Sequence, residues 1–590
     1  MTPAASPAPD PQSGTRSGAA FGLILAAVFL LHLPLLRLPY FWDEAGYYIP
    51  AARDVLHTGS IVPQSTPSSG HPPLVMVYLA GWWKLIGFTP LVTRSAMVLV
   101  SAFALLGVFR LALRVSNQQI AIASTLCTGL YPVFFAQSTM AHVDLAAAGL
   151  TLWGLDSYFG KRMRTAAVWF SLAVLAKETA ILTPLALLGW AVLCPLAYRR
   201  FRAPICDSEL VGRRRLLAPF VVLALWYDYH YWRTGYVFGN PEFFRYNVQA
   251  TTHPLRILLA LTMRLWQVLG YLHLWVLTLL MGWALTRPPL RDDAGERPRI
   301  ALPVQFVFGA VILTYVLAMA VVGGAVLARY MLTAVPLLVI LAVSTLWRRI
   351  RGWPWLIASV CLAFVAALFL NPPYGFSPED NLAYRDYIRL HVEAEQFLQA
   401  HLPTARVLTA WPASDELSQP YLGYVTRPIQ VVRIEDFSLE EIAASAENRS
   451  TFDAVLIFST KYDPPHALLA AWAPWQKMKR RFFGYHRDLP PPMAAELLSG
   501  RIVFQKERRG QWIAVMQLER DEDATLRKPE WSGCHKMAGV RFHHEPHGAP
   551  WGQAQRVSRC QCEVNFHFDT YVHARDNDYV PADERDDFSG

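Results

Sequence analysis

Four places in the chain set ionisable side chains against long apolar runs. The first is Phe41-Trp42-Asp43-Glu44-Ala45-Gly46-Tyr47-Tyr48, a carboxylate pair flanked by aromatics directly after an apolar segment. Such a pair suits a general base working on a substrate that arrives partly in lipid. It equally suits a solvated acidic cap on an interfacial helix, since carboxylates stabilise helix N-termini. The second is Ala141-His142-Val143-Asp144, where Asp144 opens another apolar run. Taken alone, a carboxylate answering a helix dipole accounts for it slightly better. In the third, Leu175-Ala176-Lys177-Glu178-Thr179, an ion pair can mark a turn, or Lys177 can hold a phosphate as a point charge. The fourth is Gly323-Gly324-Ala325-Val326-Leu327-Ala328-Arg329-Tyr330, whose lone Arg needs an anionic partner, a carboxylate or a lipid phosphate. Ionisable groups at membrane depth or at its face are expensive and are functional candidates for that reason. Singly none decides the matter; a shared location would.

The elements that must position them are hydrophobic. Apolar residues make up 53% of the 590 and charged residues 17%, and the apolar ones cluster between 21 and 370. A helix needs roughly 20 mostly apolar residues to cross a bilayer core. On that criterion about eleven spans are expected, at 20–38, 91–113, 118–136, 140–158, 165–176, 180–198, 216–232, 256–286, 302–322, 330–347 and 354–370. Eighteen Lys and Arg sit on alternate connections, among them Arg110, Arg114, Arg162, Arg213, Arg287 and Arg348. Arg53, Lys177, Arg233, Arg245, Arg256 and Arg329 lie on the opposite ones. Basic residues mark the cytoplasmic side. The map therefore predicts an inner (plasma) membrane protein with a cytoplasmic N-terminus, and all four candidate places fall at the outer face. The net charge of +9 reads as topology and not as a nucleic-acid footprint.

Residues 1–18, rich in Pro, Ala and Ser, read as a disordered cytoplasmic N-terminus, and 19–370 as the transmembrane domain. The stretch 74–88 reads as an interfacial helix in a large outer loop. After 371 the pattern turns soluble: a helix over 384–401, then strand-like runs at 406–410, 429–434, 454–458, 501–504 and 512–518. The expectation is an extracytoplasmic α/β domain over 371–520 and a disordered tail over 521–590. Six His lie between His535 and His573, with Cys534, Cys560 and Cys562 nearby, at spacings too irregular for a zinc finger.

Taken in order, Asp43-Glu44 after the first span, His71-Pro72-Pro73-Leu74, Asp144, Leu175-Ala176-Lys177, and Arg329-Tyr330 before a Pro-containing span form a recognisable set. This set resembles the GT-C glycosyltransferases of the protein O-mannosyltransferase and aminoarabinose lipid A transferase superfamily. Tyr231-Trp232-Arg233-Thr234-Gly235 with Gly239-Asn240-Pro241-Glu242 is similar to a loop of bacterial members. The resemblance covers roughly 20–370. It implies a multi-pass α-helical membrane enzyme of GT-C type that takes a sugar from a polyprenyl- or dolichyl-phosphate carrier. The acceptor hydroxyl would belong to a protein, lipid or glycan on the extracytoplasmic side. It implies Asp43 as general base with Glu44 beside it, Asp144 as a second acidic residue, and Lys177, Arg329, Tyr330 and His71 as substrate contacts. The chain departs from the pattern twice. His71 stands where many bacterial relatives have Lys, and Glu178 where they often have Gly.

The implied chemistry is an inverting single displacement in which cations stabilise the departing lipid phosphate and a carboxylate takes the acceptor proton. It needs no nucleotide motif, and none is found. Some GT-C enzymes use a divalent metal, for which Asp43, Glu44, His57 and His71 would be the candidate ligands. Their spacing is not diagnostic, and no required metal is expected. The rival reading is a lipid or solute transporter or flippase. Internal repeats and midplane charges would favour it, but no repeat is evident.

Overall fold

A computed structural model describes residues 11–201, 213–241, 253–293, 295–322, 324–462, 464, 472–483 and 485–518. The described residues fall in one compact unit. Residues 519–590, with the His- and Cys-bearing tail, lie outside the described residues, as do 242–252.

Among the described residues, four helical stretches are long and apolar enough to cross a membrane: Gly18–Leu35, Pro90–Val115, Pro254–Leu285 and Leu302–Val322. Shorter apolar helices accompany them at Leu74–Ile86, Met163–Ala176, Glu178–Cys194 and Trp353–Phe369. The architecture is that of a multi-pass α-helical membrane protein. The first helix runs Pro11–His32, so its opening turns lie within the segment that composition reads as disordered.

Several expected spans consist of two pieces, and the breaks have local causes. The run 118–136 divides into Gln118–Leu130 and Pro132–Gln137. The Tyr131–Pro132 junction ends the first helix because Pro has no amide hydrogen and disfavours helical backbone in the residue before it. The run 256–286 is kinked, with Leu272 and His273 both at positive φ between Pro254–Leu269 and Leu274–Leu285. Two further breaks fall at candidate residues. Met163–Ala176 stops at Lys177, which is extended, and Ala328–Met331 is a tight 3-10 turn before the helix Ala334–Arg349.

At the opposite end of the bundle from these breaks, the fully buried Asp156 gathers basic side chains. Arg114 Nε lies 2.6 Å away, Arg162 Nη2 2.8 Å and Arg110 Nε 3.8 Å. Basic side chains from the ends of the runs 91–113 and 140–158 therefore meet at one end of the bundle.

The polar C-terminal part holds a five-stranded sheet. A two-stranded hairpin precedes it in the chain (β1, Arg291–Asp292; β2, Gly295–Glu296). The sheet strands are β3 (Val407–Ala410), β4 (Val431–Ile434), β5 (Ala454–Phe458), β6 (Gly500–Arg508) and β7 (Gln511–Leu518). They are ordered β4-β3-β5-β7-β6. β3 pairs in parallel with β4 and β5, and β7 is antiparallel to β5 and β6. Every residue of β5 is buried, which fits an unbroken apolar run in the middle strand of a covered sheet. The helix Ala383–His401 packs on β6 and β7. One apolar cluster joins this sheet to the segment after the first span: Tyr40, Phe41 and Tyr48 pack with Tyr384, Tyr387 and Leu422. Hydrogen bonds add to it, from Tyr40 N to Leu422 O (3.3 Å) and from Tyr424 Oη to Tyr40 O (2.8 Å).

Candidate active site

The four ionisable places meet. Arg329, only 3% exposed at its side chain, sits in the turn Ala328–Met331 and reaches three carboxylates. Its Nη2 donates to Asp43 Oδ2 and its Nη1 to Glu379 Oε2, while Nε lies 3.3 Å from Asp144 Oδ2. Asp144 also accepts from Lys177 Nζ at 2.6 Å. The Lys177 ammonium stands 4.0 Å from the centre of the Tyr330 ring, a cation–π contact. Two buried cations thus answer three carboxylates, which is the pairing that buried charge requires. The planar guanidinium suits this task because it presents several donors in fixed directions.

Local backbone explains how each group arrives. Trp42 has φ of 45°, a left-handed conformation uncommon for a bulky residue, which turns the chain just ahead of Asp43. The following Glu44–Tyr48 is a widened helical turn. Gly46 lies within it, and a Cβ there would come within 2.5 Å of the Trp411 indole, so glycine lets the sheet unit close on this turn. Asp144 occupies the first turn of Val143–Phe159 and is 5% exposed.

A cavity of about 430 Å³ opens over the cluster, walled by Trp42, Asp43, Tyr48, His71, Arg329 and Glu379, with Trp411 and Lys461 on the sheet side. Asp43 is the carboxylate presented to it: its side chain is 21% exposed, against 3% for Asp144 and Glu379.

Glu44 points elsewhere. It is fully buried, pairs with Arg94 at 3.1 Å, and accepts from the backbone amides of Phe41 (2.9 Å) and Ala141 (2.6 Å). It ties the Asp43 segment to the start of the Asp144 helix. His71 and Glu178, the two departures from the family pattern, stand 2.8 Å apart, and His71 lies on the cavity wall.

Glu379 is the residue that sequence reasoning missed. It belongs to Pro378–Asp380, in the connection between the last apolar run and the helix Ala383–His401. The available signal was symmetry, an acidic pair Glu379-Asp380 following an aromatic segment as Asp43-Glu44 does. Burial, opposed in part by Arg329, pushes the Glu379 carboxyl up to about 8. Burial likewise raises Asp380 to about 7, although Tyr271 Oη donates to it at 2.6 Å.

The candidate metal ligands do not gather round one point. Arg329 occupies the space between the carboxylates, Glu44 is committed to Arg94, and His57 is exposed. Among the described residues, the His and carboxylate side chains here form no metal-sized cluster.

Residues 70–233 match the family model described as dolichyl-phosphate-mannose-protein mannosyltransferase. No curated protein sequence matches the chain. Similar solved structures include ArnT from Cupriavidus metallidurans bound to undecaprenyl phosphate, at 13% identity over 85% of this chain and 98% of that one, with a TM-score of 0.49. The oligosaccharyltransferase of Archaeoglobus fulgidus with zinc and sulfate is 13% identical over 81% of this chain and 70% of that one, with a TM-score of 0.39. The arabinofuranosyltransferase AftD from Mycobacteria is 13% identical over 86% and 40%, with a TM-score of 0.38. The matched region holds His71, Asp144 and Lys177, and over those residues the chain is similar to the dolichyl-phosphate-mannose-protein mannosyltransferases, in agreement with the resemblance its ordered motifs carry.

Proposed function

We propose that the chain is a membrane glycosyltransferase that moves a sugar from a polyprenyl- or dolichyl-phosphate carrier to an acceptor hydroxyl. The observation that carries this reading is the convergence of Asp43, Asp144 and Glu379 on Arg329, with Lys177 paired to Asp144, beside a cavity. In this reading the chain makes eleven passes with its N-terminus cytoplasmic, and the cavity and the sheet unit face the extracytoplasmic side. A glycan, lipid or protein hydroxyl serves as acceptor.

Asp43, as the exposed carboxylate, takes the proton from the acceptor hydroxyl. The acceptor oxygen attacks the anomeric carbon as the bond from that carbon to the lipid-phosphate oxygen breaks. The electron pair leaves on the phosphate, and the anomeric configuration inverts. Arg329, with His71 and Lys461 on the same walls, meets the charge that develops on the phosphate. Asp144 and Lys177 act behind it by fixing the guanidinium. Glu44 is a positioning residue, holding the turn that carries Asp43. The transfer needs no metal ion, because a guanidinium already fills the place among the carboxylates.

Membranes containing the wild-type chain, supplied with radiolabelled polyprenyl-phosphate sugars, are expected to transfer label, and Asp43→Asn membranes to lose it while the protein remains inserted. Full activity in Asp43→Asn would overturn the base assignment. Absence of transfer from every donor, with carrier lipid moved across vesicles instead, would establish transport in its place.

A further inference from the structure

A second cluster of ionisable groups lies in the sheet unit, apart from the residues assigned to transfer. His391 and Glu395 are four positions apart on Ala383–His401 and so share a helix face. Glu416 comes to them from the short helix Ala413–Ser418. The three side chains are 1%, 0% and 0% exposed. His391 Nδ1 is 2.6 Å from Glu416 Oε2 and 3.6 Å from Glu395 Oε1, and one ligand atom from each residue lies within 4.8 Å of the others.

We propose that His391, Glu395 and Glu416 form a binding site for a single divalent transition-metal cation, zinc first among them.

The first argument is unmet polarity. Both oxygens of Glu395, Oε1 of Glu416 and Nε2 of His391 are buried without a hydrogen-bond partner. Among the described residues no Lys or Arg forms an ion pair with either glutamate. Their surroundings are aromatic: the Tyr387 ring stacks on His391 with centroids 3.9 Å apart, and the Phe458 ring lies at 4.5 Å. Two carboxylates in such a box are costly unless a cation or protons neutralise them. One divalent ion balances both.

The second argument is ligand chemistry. One imidazole and two carboxylates match the donor types zinc takes, with bonds of about 2.0–2.2 Å and a fourth position for water. The absence of sulfur from the set disfavours copper(I), and calcium or magnesium would seek more oxygens. The site would pin Ala383–His401, whose Tyr387 packs on Phe41 and Trp42, to the segment following Trp411. Its role is therefore to stiffen the sheet-side wall of the cavity, without touching the reacting atoms.

The test uses the full chain without an affinity tag of histidines, stripped with chelator, loaded with zinc chloride, desalted and assayed by mass spectrometry for metal. Wild type is compared with Glu395→Gln and Glu416→Gln. The tail's six His and three Cys are present in all three proteins, so only the difference reports the triad. Wild type is expected to retain about one zinc more than either variant and to show a zinc-dependent rise in Tm that both variants lack. Equal retention and equal Tm responses would overturn the site and leave a proton-sharing triad. If the variants fail to fold, zinc-edge anomalous scattering from wild-type crystals decides. A peak among the three side chains supports the site, and zinc found only elsewhere overturns it.

Discussion

Arg329 and Asp43 are 286 residues apart in the chain, and a guanidinium nitrogen of the first donates to a carboxylate oxygen of the second. That hydrogen bond closes the ring of charge at the cavity. Arg329→Lys keeps the charge but cannot span three carboxylates from one ammonium. Transfer should fall by about 10²–10³-fold in Arg329→Lys. Asp43→Asn should lose about 10²–10⁴-fold in kcat if Asp43 is the base, as proposed. Initial rates with a labelled lipid-phosphate sugar measure both, and rates within twofold of wild type would refute the assignment.

Glu44 should behave differently from its neighbour. Glu44→Gln leaves Arg94 buried without its counter-charge, and breaking a buried pair destabilises by about 3–5 kcal/mol. The variant should melt well below wild type, yet turnover per folded molecule should stay within about tenfold, whereas Asp43→Asn loses the roughly 10²–10⁴-fold that general-base catalysis supplies. Thermal unfolding and active-site-normalised rates, measured on the same preparation, separate the two. A Glu44→Gln protein with wild-type Tm and no activity would place Glu44 in the chemistry.

The raised carboxyl of Glu379 makes folding stability depend on pH. Its folded-state value of about 8 exceeds the ordinary 4.5, so the folded chain holds a proton that the unfolded chain has released. The contribution is complete below pH 4.5 and lost as pH rises toward about 8. Asp380, raised to about 7, acts in the same sense. Tm should therefore decline across this window in wild type and decline less steeply in Glu379→Gln. Identical slopes would show that Glu379 is ionised in the folded protein throughout.

His71 and Glu178 should be energetically coupled. His71→Ala and Glu178→Ala, with the double variant, form a cycle whose interaction energy in Tm-derived stability should be about 0.5–3 kcal/mol. His71→Lys should be tolerated, because Lys places a cation opposite the Glu178 carboxylate that His71 Nδ1 meets at 2.8 Å. Additive losses would mean that the two departures from the family pattern are independent.

Much of the site was legible because it interrupts something regular. Asp43, Asp144, Lys177 and Arg329 each fall where an apolar run begins or ends, and a charge at such a point is visible without coordinates. The strands were legible for a related reason, since β5 is an unbroken apolar run in an otherwise mixed region. Glu379 was hidden because its meaning lies in a partner 50 residues away, and Pro378-Glu379-Asp380 alone reads as a loop. Reading Asp43 and Glu44 as one carboxylate pair had the same limit. Adjacent residues on a tight turn face different ways, and only the position of Arg94 shows which way each points. Continuous spans were expected where the structure has breaks, as at Leu272 and His273, because hydrophobicity sums over a window and conceals a kink.

The ring of three carboxylates, one guanidinium and one ammonium carries an excess of one negative charge when all five are ionised. On the proposed reading, an incoming phosphate is accommodated by the proton that Glu379, raised to about 8, holds near neutral pH, or by release of the guanidinium from one of its carboxylates. A phosphate that draws Arg329 from Asp43 would leave that carboxylate without its guanidinium partner. On the proposed reading, arrival of the donor would then free the carboxylate assigned to the acceptor hydroxyl at the moment it is needed.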